Sequence, residues 1–127
     1  GLDIHLIPIS IDKIGLGDKT LDEAVLELLH QGQKELNIQK DYSINDAELI
    51  RDYDKPGYGV ITKNEKMAIK QLAQKEGILL DPVYSSRAFY GMLDYLKNNK
   101  LKKNANVLFW HTGGLPANFY YSEELLK

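Results

Sequence analysis

Asn106-Val107-Leu108-Phe109-Trp110-His111-Thr112-Gly113-Gly114-Leu115-Pro116 is the stretch that decides how this chain is read. Apolar residues leading into a small, hydroxyl-bearing, glycine-rich turn predict a buried strand that delivers a bare backbone loop to a ligand. Gly113 and Gly114 permit positive φ and a close approach. Pro116 suits the first turn of a following helix, whose free N–H groups are expected to favour an anion or a ring heteroatom.

Working outward, strand-like and helix-like segments alternate. Asp3 to Ile11 is apolar at Ile4, Leu6, Ile7, Ile9 and Ile11 and reads as a buried strand, with Pro8 placing it near an edge. Gly15 to Lys19 is a loop. Thr20 caps a helix through a capping box with Glu23, and that helix is expected to fade near Gly32 or Leu36. A polar connection over 37–45 leads to a short strand over 47–53 and a glycine-bracketed loop, Asp54 to Gly59. Asn64 is expected to cap a second helix with Met67, Ile69, Leu72 and Ala73 inward and Gly77 at its end. Leu79 to Val83 is extended. Ser85 or Ser86 caps a third helix through Leu96, with Phe89, Met92, Leu93 and Leu96 inward, and a lysine-rich turn precedes the strand 107–111. This alternation predicts an α/β fold, a layered and mostly parallel sheet with flanking helices, in one domain over 1–127.

Composition narrows the function classes. Of the 127 residues 27% are charged, and the net charge is −2, which offers no electrostatic footprint for nucleic acid or an anionic membrane. No apolar run reaches the ~20 residues a spanning helix needs. Cysteine is absent, which excludes disulfide and thiolate chemistry and fits a cytoplasmic setting. His5, His30 and His111 show no metal-ligand spacing, so no metal is expected.

A second segment, Glu76-Gly77-Ile78-Leu79-Leu80-Asp81-Pro82-Val83-Tyr84-Ser85, sharpens the reading. With Lys55-Pro56-Gly57-Tyr58-Gly59, Ala88-Phe89-Tyr90-Gly91 and Val107 to Ala117, it resembles the D-cysteine desulfhydrase / 1-aminocyclopropane-1-carboxylate deaminase family in order, spacing and residue type. Those are pyridoxal-phosphate enzymes built like the tryptophan synthase β-subunit. The resemblance implies a small amino-acid substrate, a homodimer, and a chain that is the C-terminal part of the cofactor-binding large domain. Ile4 to Ile9 reads as a strand interior, so a fragment is expected. The Schiff-base lysine and the phosphate-cradling loop would then lie elsewhere, leaving this chain alone inactive.

By the same resemblance Tyr84 stands beside the substrate's α-carbon as proton acceptor or nucleophile, and Tyr58 is the second active-site tyrosine. A phenol is a poor base near neutrality, its free pKa being ~10. A neighbouring cationic imine, a helix N-terminus or the second phenol could lower that value. The alternative is that both are amphipathic residues at the edge of the core, as most of the eight tyrosines must be.

Ser85, Thr112 and Gly113 are the expected cofactor contacts. Where ring-opening deaminases carry a glutamate after the motif tyrosine and a leucine before the Gly-Gly, this chain carries hydroxyls. A hydroxyl bonds the pyridine nitrogen without forcing its protonation, which suits β-elimination of a thiol better than C–C cleavage. The resemblance therefore implies a desulfhydrase, converting D-cysteine to pyruvate, sulfide and ammonia. The alternatives are a cyclopropane-carboxylate deaminase and a non-catalytic α/β binding module. Ser85 could equally be a simple helix cap. Ser86-Arg87 departs from the Gly-Lys usual after the tyrosine pair, keeping the charge but restricting the backbone. His111 reads as a structural strand-end residue, and Asp52 and Asp54 as solvated charges.

Overall fold

The computed structural model describes residues 4, 6–12, 15, 17–98 and 100–127. The chain divides into two compact units, Gly1–Lys55 and Pro56–Lys127.

In the first unit, helix α1 (Leu21–Glu35) opens on the expected capping box: Glu23 N–H donates to the Thr20 hydroxyl at 3.3 Å, and Thr20 N–H donates to the Glu23 carboxylate at 2.7 Å. No residue of α1 is buried. It is held at its start instead, where Asp22 accepts Leu49 N–H at 2.8 Å and pairs with Arg51. The two strands expected here meet in a single parallel bridge, Ile9 with Ile50, made by Ser10 N–H to the Ile50 carbonyl (2.9 Å) and Ile50 N–H to the Pro8 carbonyl (2.8 Å). Asp3 and His5 of the first strand, and Leu16 of the next loop, lie outside the described residues. Asp54, expected in solvent, is buried with the Arg51 guanidinium 3.8 Å away.

The second unit is built on α2 (Lys63–Glu76) and α3 (Ser85–Lys97), with short helices α4 (Ala117–Tyr120) and α5 (Ser122–Leu126). The cap of α2 is Thr62 rather than Asn64. Its hydroxyl accepts Asn64 N–H at 3.1 Å while the Glu65 carboxylate returns to Thr62 N–H at 2.8 Å, so the box requires a glutamate three residues on. Gly77 ends α2 in the left-handed conformation at φ +68°.

Ala68, Leu80 and Phe89 form the buried centre, with Ile69, Leu72, Met92, Leu93 and Phe109 around them. The inward stripe of α2 is thus Glu65, Ala68, Ile69 and Leu72, and Met67 turns to solvent. Leu96 is exposed as well, one turn beyond the last contact of α3.

Residues 107–111 show strand-like alternation without a strand. Phe109 packs inward, its ring 5.2 Å from that of Phe89 at 80°, while Leu108 and Trp110 are 83% and 78% exposed. Of the expected layered sheet the described residues show the Ile9–Ile50 parallel bridge and no extended strand. The reason is that a ladder needs a second backbone within hydrogen-bonding distance. Alternating apolar residues make a segment suited to a sheet, but they do not supply that neighbour.

Candidate active site

The second unit brings together the loop after Lys55, the turn before α3 and the glycine turn after His111. Asp81 organises them. Pro82 follows it in a turn, and that turn carries the next three amides back over the Asp81 carboxylate. Val83 and Tyr84 donate to one carboxylate oxygen at 2.8 and 2.7 Å, and Ser85 N–H donates to the other at 2.7 Å. The Ser85 hydroxyl also donates to that second oxygen and accepts Asp81 N–H at 2.8 Å. Asp81, not Ser85 or Ser86, therefore takes the amides at the start of α3: its carboxylate accepts Ser85 N–H and the two amides before it, and its backbone carbonyl accepts Ser86 N–H at 3.1 Å.

Tyr84 is the residue just before α3, placed there by the Asp81 turn. Its hydroxyl is hydrogen-bonded to that of Tyr58, and the rings meet edge to face with centroids 5.8 Å apart. Both rings remain substantially exposed, at 52% for Tyr58 and 40% for Tyr84. Of the groups named as able to lower the phenol pKa, the second phenol acts in the opposite sense. The hydrogen bond with Tyr58, partial burial, and the neighbouring Tyr58, Asp81 and Tyr121 oxygens push Tyr84 up to about 12. The second phenol stabilises the neutral form, and the amides of Val83, Tyr84 and Ser85 are held by Asp81 rather than offered to a phenolate.

The glycine turn lies against the same aspartate. Gly114 sits at φ +89°, and a Cβ there would come within 2.7 Å of the Asp81 carboxyl carbon. Gly113 is at φ +96° with open space beside it, so conformation alone demands glycine at that position. Thr112 is exposed at the edge of the turn. His111 fixes the turn: Gly113 N–H donates to Nδ1 at 3.0 Å, so Nε2 carries the ring proton and donates to the Leu79 carbonyl at 3.0 Å. The expected anion-binding amides after Pro116 are otherwise engaged. Ala117, Asn118 and Phe119 N–H donate to the carbonyls of Gly114, Leu115 and Pro116.

Arg87, noted in the sequence only as a retained charge, is buried. Its Nε bonds Glu65 at 2.9 Å, and its two terminal nitrogens donate to the carbonyls of Gly57 and Val60 at 3.1 and 3.0 Å. Burial alone would raise the Glu65 pKa, but hydrogen bonds from Thr62 and Arg87 outweigh it and hold the carboxyl below its ordinary value. Gly59, beside Tyr58, leaves room for the Tyr121 hydroxyl, which a Cβ there would meet at 2.9 Å.

Of the residues singled out from sequence, Tyr58 and Tyr84 touch. Thr112 and Gly113 belong to the turn that rests on Asp81, and Ser85 is buried beneath that turn with its hydroxyl engaged. Asp81, Arg87 and Glu65 were missed. For Asp81 a signal existed, since Asp-Pro followed by a helix start is a turn with a built-in acceptor. Among the described residues no group of acidic, histidine or cysteine side chains could hold a metal ion, and no helix is long and apolar enough to cross a membrane.

Residues 12–113 match the family described as pyridoxal-phosphate dependent enzyme. A Pyrococcus abyssi (strain GE5 / Orsay) protein, provisionally named a 1-aminocyclopropane-1-carboxylate deaminase, is 49% identical over 78 residues, covering 61% of this chain and 23% of that protein. A D-cysteine desulfhydrase of Klebsiella pneumoniae (strain 342) is 46% identical over 80 residues, covering 63% and 24%. A crystal structure described as an ACC deaminase homologue superposes with a TM-score of 0.77 at 29% identity, over 94% of this chain and 34% of its own. The matches thus span about a quarter of the curated relatives' length.

Proposed function

The chain belongs to the pyridoxal-phosphate dependent enzymes, and from that premise we propose that it is the C-terminal part of the cofactor-binding large domain of a lyase that β-eliminates sulfide from D-cysteine. The uncovered Leu108–Trp110 face supports the domain assignment, because sheets of this class are covered on both faces. The observation that carries the activity is the Tyr58–Tyr84 phenol pair, linked through Asp81 to the turn bearing Thr112.

The residues present fit the cofactor's ring. The turn has open space beside Gly113 and is edged by the exposed Thr112, whose hydroxyl is of the type that hydrogen-bonds a pyridine nitrogen. Pyridoxal phosphate, when bound, supplies an electron sink for charge developing at the substrate's α-carbon. Thr112 would bond the ring nitrogen without protonating it, a modest activation suited to a thiol leaving group. Ser85, with its hydroxyl engaged by Asp81, would act by holding the turn rather than the ring. Tyr84 stays protonated near neutrality, so the pair holds a proton at the Tyr84 oxygen, and Tyr58 orients it. In the net reaction D-cysteine and water give pyruvate, hydrogen sulfide and ammonia.

The names of two relatives favour 1-aminocyclopropane-1-carboxylate deamination as the second reading. The test is the polypeptide that joins this sequence to the Schiff-base lysine, assayed with cofactor on both substrates. Sulfide release from D-cysteine, with a ~10²–10⁴-fold loss in Y84F at unchanged cofactor absorbance, is the expected result. Ring opening without sulfide release would replace the desulfhydrase reading with the deaminase one. Failure to bind the cofactor would overturn both.

A further inference from the structure

The side chain of Arg87 attaches the loop carrying Tyr58 to α3 through backbone carbonyls. Arg87, 1% exposed, lies three residues beyond Tyr84. Its planar fork reaches the Gly57 and Val60 carbonyls, which flank Tyr58 on both sides, while Glu65 fixes its inner edge. Glu65 is in turn held by the hydroxyl and N–H of Thr62 at the start of α2. A lysine presents its donors from one point and cannot span two carbonyls and a carboxylate lying in different directions.

We propose that Arg87 is a positioning residue for the phenol pair: it ties the Tyr58 loop to the helix that follows Tyr84 and so keeps the two hydroxyls within hydrogen-bonding reach. Its meaning for catalysis rests on the lyase reading.

The experiment uses this chain labelled with ¹³C at the tyrosine Cζ, with Y84F to assign the Tyr84 signal. A phenol titrating near 10 is roughly nine-tenths ionised at pH 11, and one titrating near 12 only about one-tenth. Wild-type Tyr84 is expected in the second state. R87K, R87Q and Y58F are expected to move it toward the first, a rise in ionised fraction of several-fold. L72A weakens the same core without touching the brace and is expected to leave Tyr84 as in the wild type. The two Arg87 variants are read in whichever retains its helical circular dichroism.

A folded Arg87 variant with wild-type Tyr84 ionisation would overturn the proposal. So would an equal rise in L72A, which would reduce Arg87 to general stability. The measurement needs no cofactor, so its failure leaves the lyase reading intact. Conversely, a coupled phenol pair in an inactive enzyme would overturn only the lyase reading.

Discussion

Gly114 and Gly113 show how differently two adjacent glycines can be required. At Gly114 a methyl group would collide with the Asp81 carboxyl and strain the backbone; at Gly113 only the backbone objects. G114A is expected to destabilise the second unit by about 2–3 kcal/mol and G113A by about 1 kcal/mol, read from urea unfolding. Equal losses would refute the Asp81 contact. Ser86 offers the opposite effect. Its buried hydroxyl has no hydrogen-bond partner among the described residues, so S86A is expected to raise stability by roughly 1 kcal/mol; a loss of that size would mean the hydroxyl is satisfied. The candidate tyrosines, Thr112 and Gly113 were legible because motif residues in glycine-rich surroundings advertise themselves. Arg87 was not, since nothing local distinguishes a buried cation from a solvated one.

The starts of the three long helices are set by acceptors of two kinds. At α1 and α2 the acceptor is local, a threonine paired with a glutamate three residues on, and both boxes are present in the sequence. The expectation of Asn64 weighed one residue's preference and overlooked the Thr62–Glu65 pair. T62A is expected to cost about 1 kcal/mol in thermal unfolding, and to loosen Glu65, whereas N64A should cost much less. At α3 the acceptor is Asp81, four residues before the helix. The Glu65 carboxyl also gives the second unit an acid limit. Its pKa is held below the ordinary 4.5, so its stabilisation is present above that value and is lost as pH falls through the lower folded value. Unfolding midpoints measured from pH 7 down to pH 3 should therefore drop steeply in the wild type and more shallowly in E65Q. Parallel profiles would remove Glu65 from the account.

For the molecule as a whole, the exposed face of residues 108–110 is the feature that most limits its solution behaviour. Leu108 and Trp110 make little contact within the chain, so L108K/W110K is expected to leave unfolding within about 0.5 kcal/mol of wild type. The same variant should reduce concentration-dependent association in sedimentation, because exposed apolar surface promotes it; a large stability loss would show that the face is packed after all. What the sequence determined by itself were the capping boxes, the glycines with positive φ, the alternation along 107–111 and the candidacy of the two tyrosines. These depend on φ preferences and hydrogen bonds reaching a few residues along the chain. Only the tertiary structure decided that Tyr58 meets Tyr84 across 26 residues, that Asp81 lies under Gly114, that Arg87 braces a loop 27 to 30 residues away, and that the phenol pair raises rather than lowers the Tyr84 pKa. Each of these is a contact between groups distant in sequence, and a pKa or a ladder follows from which neighbours arrive, not from the residue that awaits them.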